Sequence, residues 1–153
     1  MRLSRSDQCF FDLKLRGYQF PDIVDKQYDS DWLMVEINVR HPFGEWSAVD
    51  PSLLTSEIES LIHWFEKIDT GDYSKAHLWF IEPCLEFHVI ESEEHPNSIK
   101  VVFSHEYRPP WGSKEFVEKE EHHLEFPLTD VDLKEVIASL QEELARFPTR
   151  VGL

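Results

Sequence analysis

The stretch Leu78-Trp79-Phe80-Ile81-Glu82-Pro83-Cys84-Leu85-Glu86-Phe87-His88-Val89 decides what kind of fold this chain builds. From His77 to Ile81 it is almost wholly apolar, which predicts a strand covered on both faces or lying deep in a sheet. From Cys84 onward it alternates, with Leu85, Phe87 and Val89 on one side and Glu86 and His88 on the other. That is the period of a half-buried antiparallel strand whose charged face meets water or a partner. Pro83 has no N–H to offer a ladder, so it marks a bulge or a tight corner between the two strands. The pair is expected at the centre of a sheet.

Working outward, Phe11, Leu13 and Leu15 alternate with Asp12, Lys14 and Arg16, a first strand. Leu33, Val35, Ile37 and Val39 alternate with Glu36, Asn38 and Arg40, a second. Pro42-Phe43-Gly44 is turn chemistry, and Trp46, Ala48 and Asp50 make a short third strand that closes an antiparallel meander. Asp50-Pro51 reads as a helix start, a capping oxygen followed by a proline whose φ is already set. Leu54, Ile58, Leu61, Ile62, Phe65 and Ile68 then form one apolar stripe bordered by Trp64, ending near Gly71. Beyond the central pair, Ile99, Val101 and Phe103 predict a hairpin partner for the Leu85 strand. His105 to Trp111, with its double proline, is an irregular loop, and His122 to Phe126 resumes a strand. A last helix, capped by Thr129 or Asp130, carries Leu133, Ile137, Leu140 and Leu144 and ends at Phe147-Pro148. The order β-β-β-α-β-β-β-β-α predicts an α+β domain spanning residues 1–153. Its core is a largely antiparallel sheet of about six or seven strands with two amphipathic helices packed on it.

Composition narrows the function classes. A chain of 153 residues is one domain on length. Its 15 basic and 30 acidic residues leave a net charge of −15, the wrong sign for gripping phosphates or an anionic membrane. With only 5 Gly, glycine-rich phosphate cradles are not expected. Cys9 and Cys84 sit in apolar strand contexts without CxxC spacing, which predicts buried reduced thiols and a cytoplasmic chain. No signal peptide or transmembrane span is read from the N-terminus. The 8 His invite a metal reading, yet no HxxxH, HExxH or HxH occurs. Glu82, His88, His105 and Glu106 are the set that converges if their strands are adjacent. No GxSxG, P-loop, dinucleotide fingerprint or EF-hand loop is present. Tyr28-Asp29-Ser30-Asp31-Trp32 and Tyr107-Arg108-Pro109-Pro110-Trp111 place rings in loops beside charges, a pattern that anchors protein interfaces or caps the ends of a core.

Several of these segments together carry a resemblance. Gly17-Tyr18-Gln19-Phe20-Pro21, Tyr28-Asp29-Ser30-Asp31-Trp32-Leu33, Asp50-Pro51-Ser52-Leu53-Leu54, Phe80-Ile81-Glu82-Pro83-Cys84-Leu85-Glu86-Phe87 and Phe147-Pro148-Thr149-Arg150 occur in that order. Over about Phe10 to Arg150 the chain resembles the WapI family of bacterial immunity proteins. The resemblance implies a cytosolic protein, not an enzyme and without cofactor. Such a protein binds the C-terminal domain of a wall-associated polymorphic toxin, commonly a nuclease, and occludes it. An acidic surface would then meet the basic substrate groove of the toxin, and charge of this sign speeds association. Charge and loop placement nominate Glu91, Glu93, Glu94, Glu118, Glu120 and Glu121 as contacts, with Trp111 as an apolar anchor; the resemblance itself supplies no binding residues. Two other readings stand beside it: a small metal-dependent hydrolase built on Glu82, His88, His105 and Glu106, and a homodimeric scaffold pairing through an exposed sheet edge or face.

Overall fold

The computed structural model describes residues 1–91, 93, 96–111 and 121–151. Among the described residues, eight strands and two helices follow one another. They are β1 (Arg2–Ser4), β2 (Phe10–Tyr18), β3 (Trp32–His41), β4 (Gly44–Leu54), α1 (Thr55–Asp69), β5 (His77–Trp79), β6 (Leu85–Ile90), β7 (Ser98–Phe103), β8 (His122–Pro127) and α2 (Leu133–Arg146). Among the described residues the strands form two antiparallel sheets of four, ordered β1-β2-β3-β4 and β5-β6-β7-β8. The predicted α+β class and antiparallel pairing hold. The single sheet becomes two, and β1 is an eighth strand too short to read from alternation.

The period-2 residues of both sheets meet in one core. Phe11, Leu13 and Leu15 of β2 and Leu33, Val35, Ile37 and Val39 of β3 are buried on one face of the first sheet. Leu85, Phe87, Ile99, Val101, Phe103, Leu124 and Phe126 are buried in the second. Phe11 joins them, with ring centroids 6.0 Å from Phe87 and 5.7 Å from Phe103. Helix α1 adds Trp64 and Phe65, each edge-on to Phe87. Helix α2 lies against α1 and buries Val136 and Leu140.

Three expectations are corrected here. The central pair splits in position: β6 is an inner strand, but β5 is an edge strand of three residues. Trp79 is 68% exposed and Ile81 57% exposed, so the apolar run from His77 to Ile81 is not a doubly covered strand. The chain leaves the ladder after Trp79 to round Pro83, and of the residues beyond it Phe80 and Cys84 turn inward. Asp50-Pro51 does not start a helix. β4 continues to Leu54, with Asp50 opposite Val35 and Pro51 opposite Met34, and the register shifts so that Ser52 is the extra residue of a bulge. Because β4 is an edge strand, Pro51 costs no ladder bond. The helix begins at Thr55, where the Glu57 carboxylate accepts the Leu54 N–H at 2.9 Å. Nor do Thr129 or Asp130 cap α2. Leu128–Asp130 forms a 3₁₀ turn, and Asp132 accepts the Glu135 N–H at 3.1 Å.

The bulge at Ser52 has a purpose in the core. Tyr107, fully buried, donates to the Val35 carbonyl at 2.9 Å, which leaves the Ser52 hydroxyl to donate to the phenol oxygen at 2.6 Å. This network ties the loop after β7 to the first sheet. Tyr107→Phe is expected to lower stability by about 1–3 kcal/mol, because a buried carbonyl and hydroxyl lose their partner. A urea midpoint unchanged by this substitution would show that the network contributes nothing.

Three of the segments that carry the resemblance converge as well. Arg150 donates to the carbonyls of Ser30 at 2.6 Å, Pro21 at 2.9 Å and Phe20 at 3.0 Å, and its guanidinium lies 3.6 Å from the Tyr18 ring centroid. The buried Asp31 carboxylate accepts the Arg150 N–H at 2.6 Å and the Val151 N–H at 3.2 Å. Together these contacts are a clamp that fastens the C-terminal segment to the β2–β3 connection.

Candidate functional site

The β3–β4 turn begins the site. Gly44 sits at φ +149°, in a region that suits glycine, and a Cβ placed there would lie 3.2 Å from Cη2 of Trp111. The missing side chain thus lets the Trp111 indole rest on the turn. Trp111 also meets Trp46 edge-on at 5.2 Å, and Trp46 in turn meets Phe103 at 5.2 Å. The Trp46 indole N–H donates to the Tyr107 carbonyl at 3.0 Å, which holds the ring stack to the loop. Phe43 stands at the tip, 73% exposed, with the His41 ring 5.1 Å away.

The rings of His41, Phe43, Trp46 and Trp111, with Pro109, Glu121, His122 and His123, line a cleft of about 240 Å³. Glu121 forms an ion pair with Lys100, which holds its carboxyl below the usual carboxylate range. The same carboxylate lies 3.2 Å from His123 Nδ1. Burial draws the His41 imidazole toward its neutral form. Among the described residues that line the cleft there is no nucleophile–base pair. Cys84, a buried thiol 3.4 Å from Glu106, is pushed up to about 12 by burial and by that bond, so it stays protonated and unreactive.

The nominated contacts fall in two places. Trp111 and Glu121 share the cleft. Glu91 and Glu93 are exposed beyond the other end of the second sheet, where β6 turns toward β7. Six ladder residues separate the two ends, roughly 17 Å at the rise of a strand. Glu94, Glu118 and Glu120 lie outside the described residues. Of the other loop aromatics, Trp32 is the first residue of β3 and half-buried, and Tyr28 is 46% exposed.

The hydrolase set does not gather. Among the described residues, His88 groups with His77 and Glu86, whereas Glu106 groups with Asp50 and Cys84, and Glu82 and His105 join neither. The physical reason is the hairpin register: His77 lies opposite His88 across β5–β6, while Glu106 follows β7 in a 3₁₀ turn. What the sequence reading missed is the contribution of His41, Phe43 and Trp46. Pro42-Phe43-Gly44 was legible as a turn, and the apolar ring within it was the available sign that the turn does more than reverse the chain.

A family model described as the immunity protein WapI-like family matches residues 2–148. No curated protein and no solved structure matches the chain.

Proposed function

The chain belongs to the WapI-like immunity protein family, and from that premise we propose that it neutralises a cognate polymorphic toxin, acting in the cytoplasm, by binding the toxin's C-terminal domain and occluding its active site. The observation that carries the reading is Phe43, 73% exposed beside a cleft that Trp46 and Trp111 help to line. An apolar ring held out by a short turn, backed by Trp46 and Trp111, has the composition of an interface hot spot. Around it the net charge of −15 supplies a negative field. A nuclease is the toxin class this field suits, because its substrate groove is basic and an acidic protein competes for the place of the phosphates. The mechanism is then occupation of a surface, with no bond made or broken by this chain.

The test is co-expression with the C-terminal domain of a candidate toxin, followed by light scattering of the purified mixture and stopped-flow association at low and high salt. The expected result is restored growth and a 1:1 complex. Its association rate should fall on the order of tenfold or more as salt screens the opposing charges. No rescue together with no complex at micromolar concentrations would remove the proposal.

A further inference from the structure

The outer face of the second sheet carries a cluster that toxin binding through the cleft does not use. β5 and β6 pair so that His77 lies opposite His88 and Trp79 opposite Glu86. On an antiparallel pair, two residues spaced i, i+2 on one strand and the residue across from one of them share a face within roughly 5–8 Å. A flat sheet can in this way aim three donors at one point. Here the His77 and His88 rings stack in parallel, 4.1 Å between centroids and 11° between planes. Nε2 of each ring reaches the same Glu86 oxygen, Oε2, at 3.0 Å and 3.2 Å. All three donor atoms lie within 4.8 Å of one another.

We propose that His77, Glu86 and His88 form a binding site for a divalent transition ion of the zinc or nickel class, with its remaining coordination positions open to water. Two imidazoles and one carboxylate are the donor set that these ions take, whereas magnesium and calcium require oxygen donors. Donors held tetrahedrally about 2.0–2.2 Å from an ion are roughly 3.3–3.6 Å apart, near the His–Glu separations of 3.0 Å and 3.2 Å, and one of the two stacked rings turns about its Cβ–Cγ bond to bring its in-plane Nε2 lone pair onto the same ion. An ion would take the place of the protons that now link the rings to the carboxylate. The side chains are 45%, 32% and 28% exposed for His77, Glu86 and His88, so an ion in solution has access. Lys100, opposite His88 on β7, is the nearest ammonium group of that face and is already paired with Glu121. The second convergent trio, Asp50, Cys84 and Glu106, offers no imidazole, and its buried thiol donates to Glu106 at 3.4 Å.

The experiment is calorimetric titration of the chelator-treated, tag-free chain with Zn²⁺ at neutral pH, with thermal melting in the presence and absence of zinc as a second readout. One site is expected in the unaltered protein, together with a zinc-dependent rise in melting temperature. His77→Ala and His88→Ala are each expected to weaken zinc binding on the order of tenfold or more and to abolish that rise, as loss of one of three ligands requires. His63→Ala, which removes an exposed histidine beside Glu66 on α1, is expected to change neither. The chain without zinc should melt alike in all four proteins, since these side chains stand on an open face. Absence of zinc binding by the unaltered protein, or equal affinity in the His77 and His88 variants, overturns the proposal and leaves the toxin-binding reading untouched.

Discussion

Phe87→Ala is expected to destabilise the protein by about 3–5 kcal/mol, the range for emptying a fully buried aromatic site. Phe87 is wholly buried and is the ring on which the layers meet. Phe11 of the first sheet lies 6.0 Å away, Trp64 and Phe65 of α1 6.0 and 6.2 Å, and Phe80 of the β5–β6 loop 6.1 Å. Removing it deletes four edge-on contacts at once and opens a void that two sheets and a helix must collapse together to fill. The loss is a large share of what a domain of this size commands. Trp79→Ala, eight residues away in the same hairpin, is the contrast. Its ring is 68% exposed, so its removal is expected to change stability by about 0.5 kcal/mol or less. Urea unfolding of both variants checks this, and equal midpoints would mean that the core is not centred where the structure puts it.

The second large effect concerns the cleft. Phe43→Ala is expected to weaken the complex with the toxin domain by about 2 kcal/mol or more, near thirtyfold in Kd, as for a central aromatic anchor. Phe43 is the clean probe, because a side chain 73% exposed supports little of the fold. Trp111→Ala is expected to weaken binding at least as much. It also removes the packing on Trp46 and Gly44, so its melting curve must be read beside its affinity. Glu91→Gln with Glu93→Gln, at the far end of the sheet, is expected to slow association only a few-fold, since rim charges act mainly on the encounter rate. The reverse pattern, with Phe43→Ala silent and the glutamate pair decisive, would move the interface to the β6–β7 turn.

How far the sequence could be read differs between fold and site. The two long period-2 runs, Phe11 to Leu15 and Leu33 to Val39, named β2 and β3 and their buried faces, because alternation directly records which side of a strand is wet. The helical stripe from Ile58 to Ile68 did the same for α1. Asp50-Pro51 misled because its helix-start chemistry is real but local, and pairing of Asp50 with Val35 across an edge strand outweighed it. β5 misled because a run of apolar residues does not say whether anything covers it. Trp79 lies across from Glu86 on the open face of its sheet, and Ile81 falls in the bend past the end of β5.

The site was legible in pieces. Trp111 and Glu121 were named from loop aromatics and charge, and the structure lines one cleft with both. Phe43 and Trp46 join them from a turn some 65 residues earlier in the chain, and the vacancy at Gly44 is what admits the indole. His77 and His88 were each visible as residues, but their stacking depends on a hairpin register that rounds Pro83.

By itself the sequence determined the elements that rest on local periodicity, the sign of the surface and the resemblance spread over most of the chain. Tertiary structure alone decided that the strands divide into two sheets, that Arg150 fastens three of the family-like motifs together, and which rings and carboxylates share a face. The physical reason is range: burial patterns are written every second or fourth residue. A cleft or a metal-sized cluster instead depends on register between strands distant in the chain, and that register is set only when the two sheets close on Phe11 and Phe87.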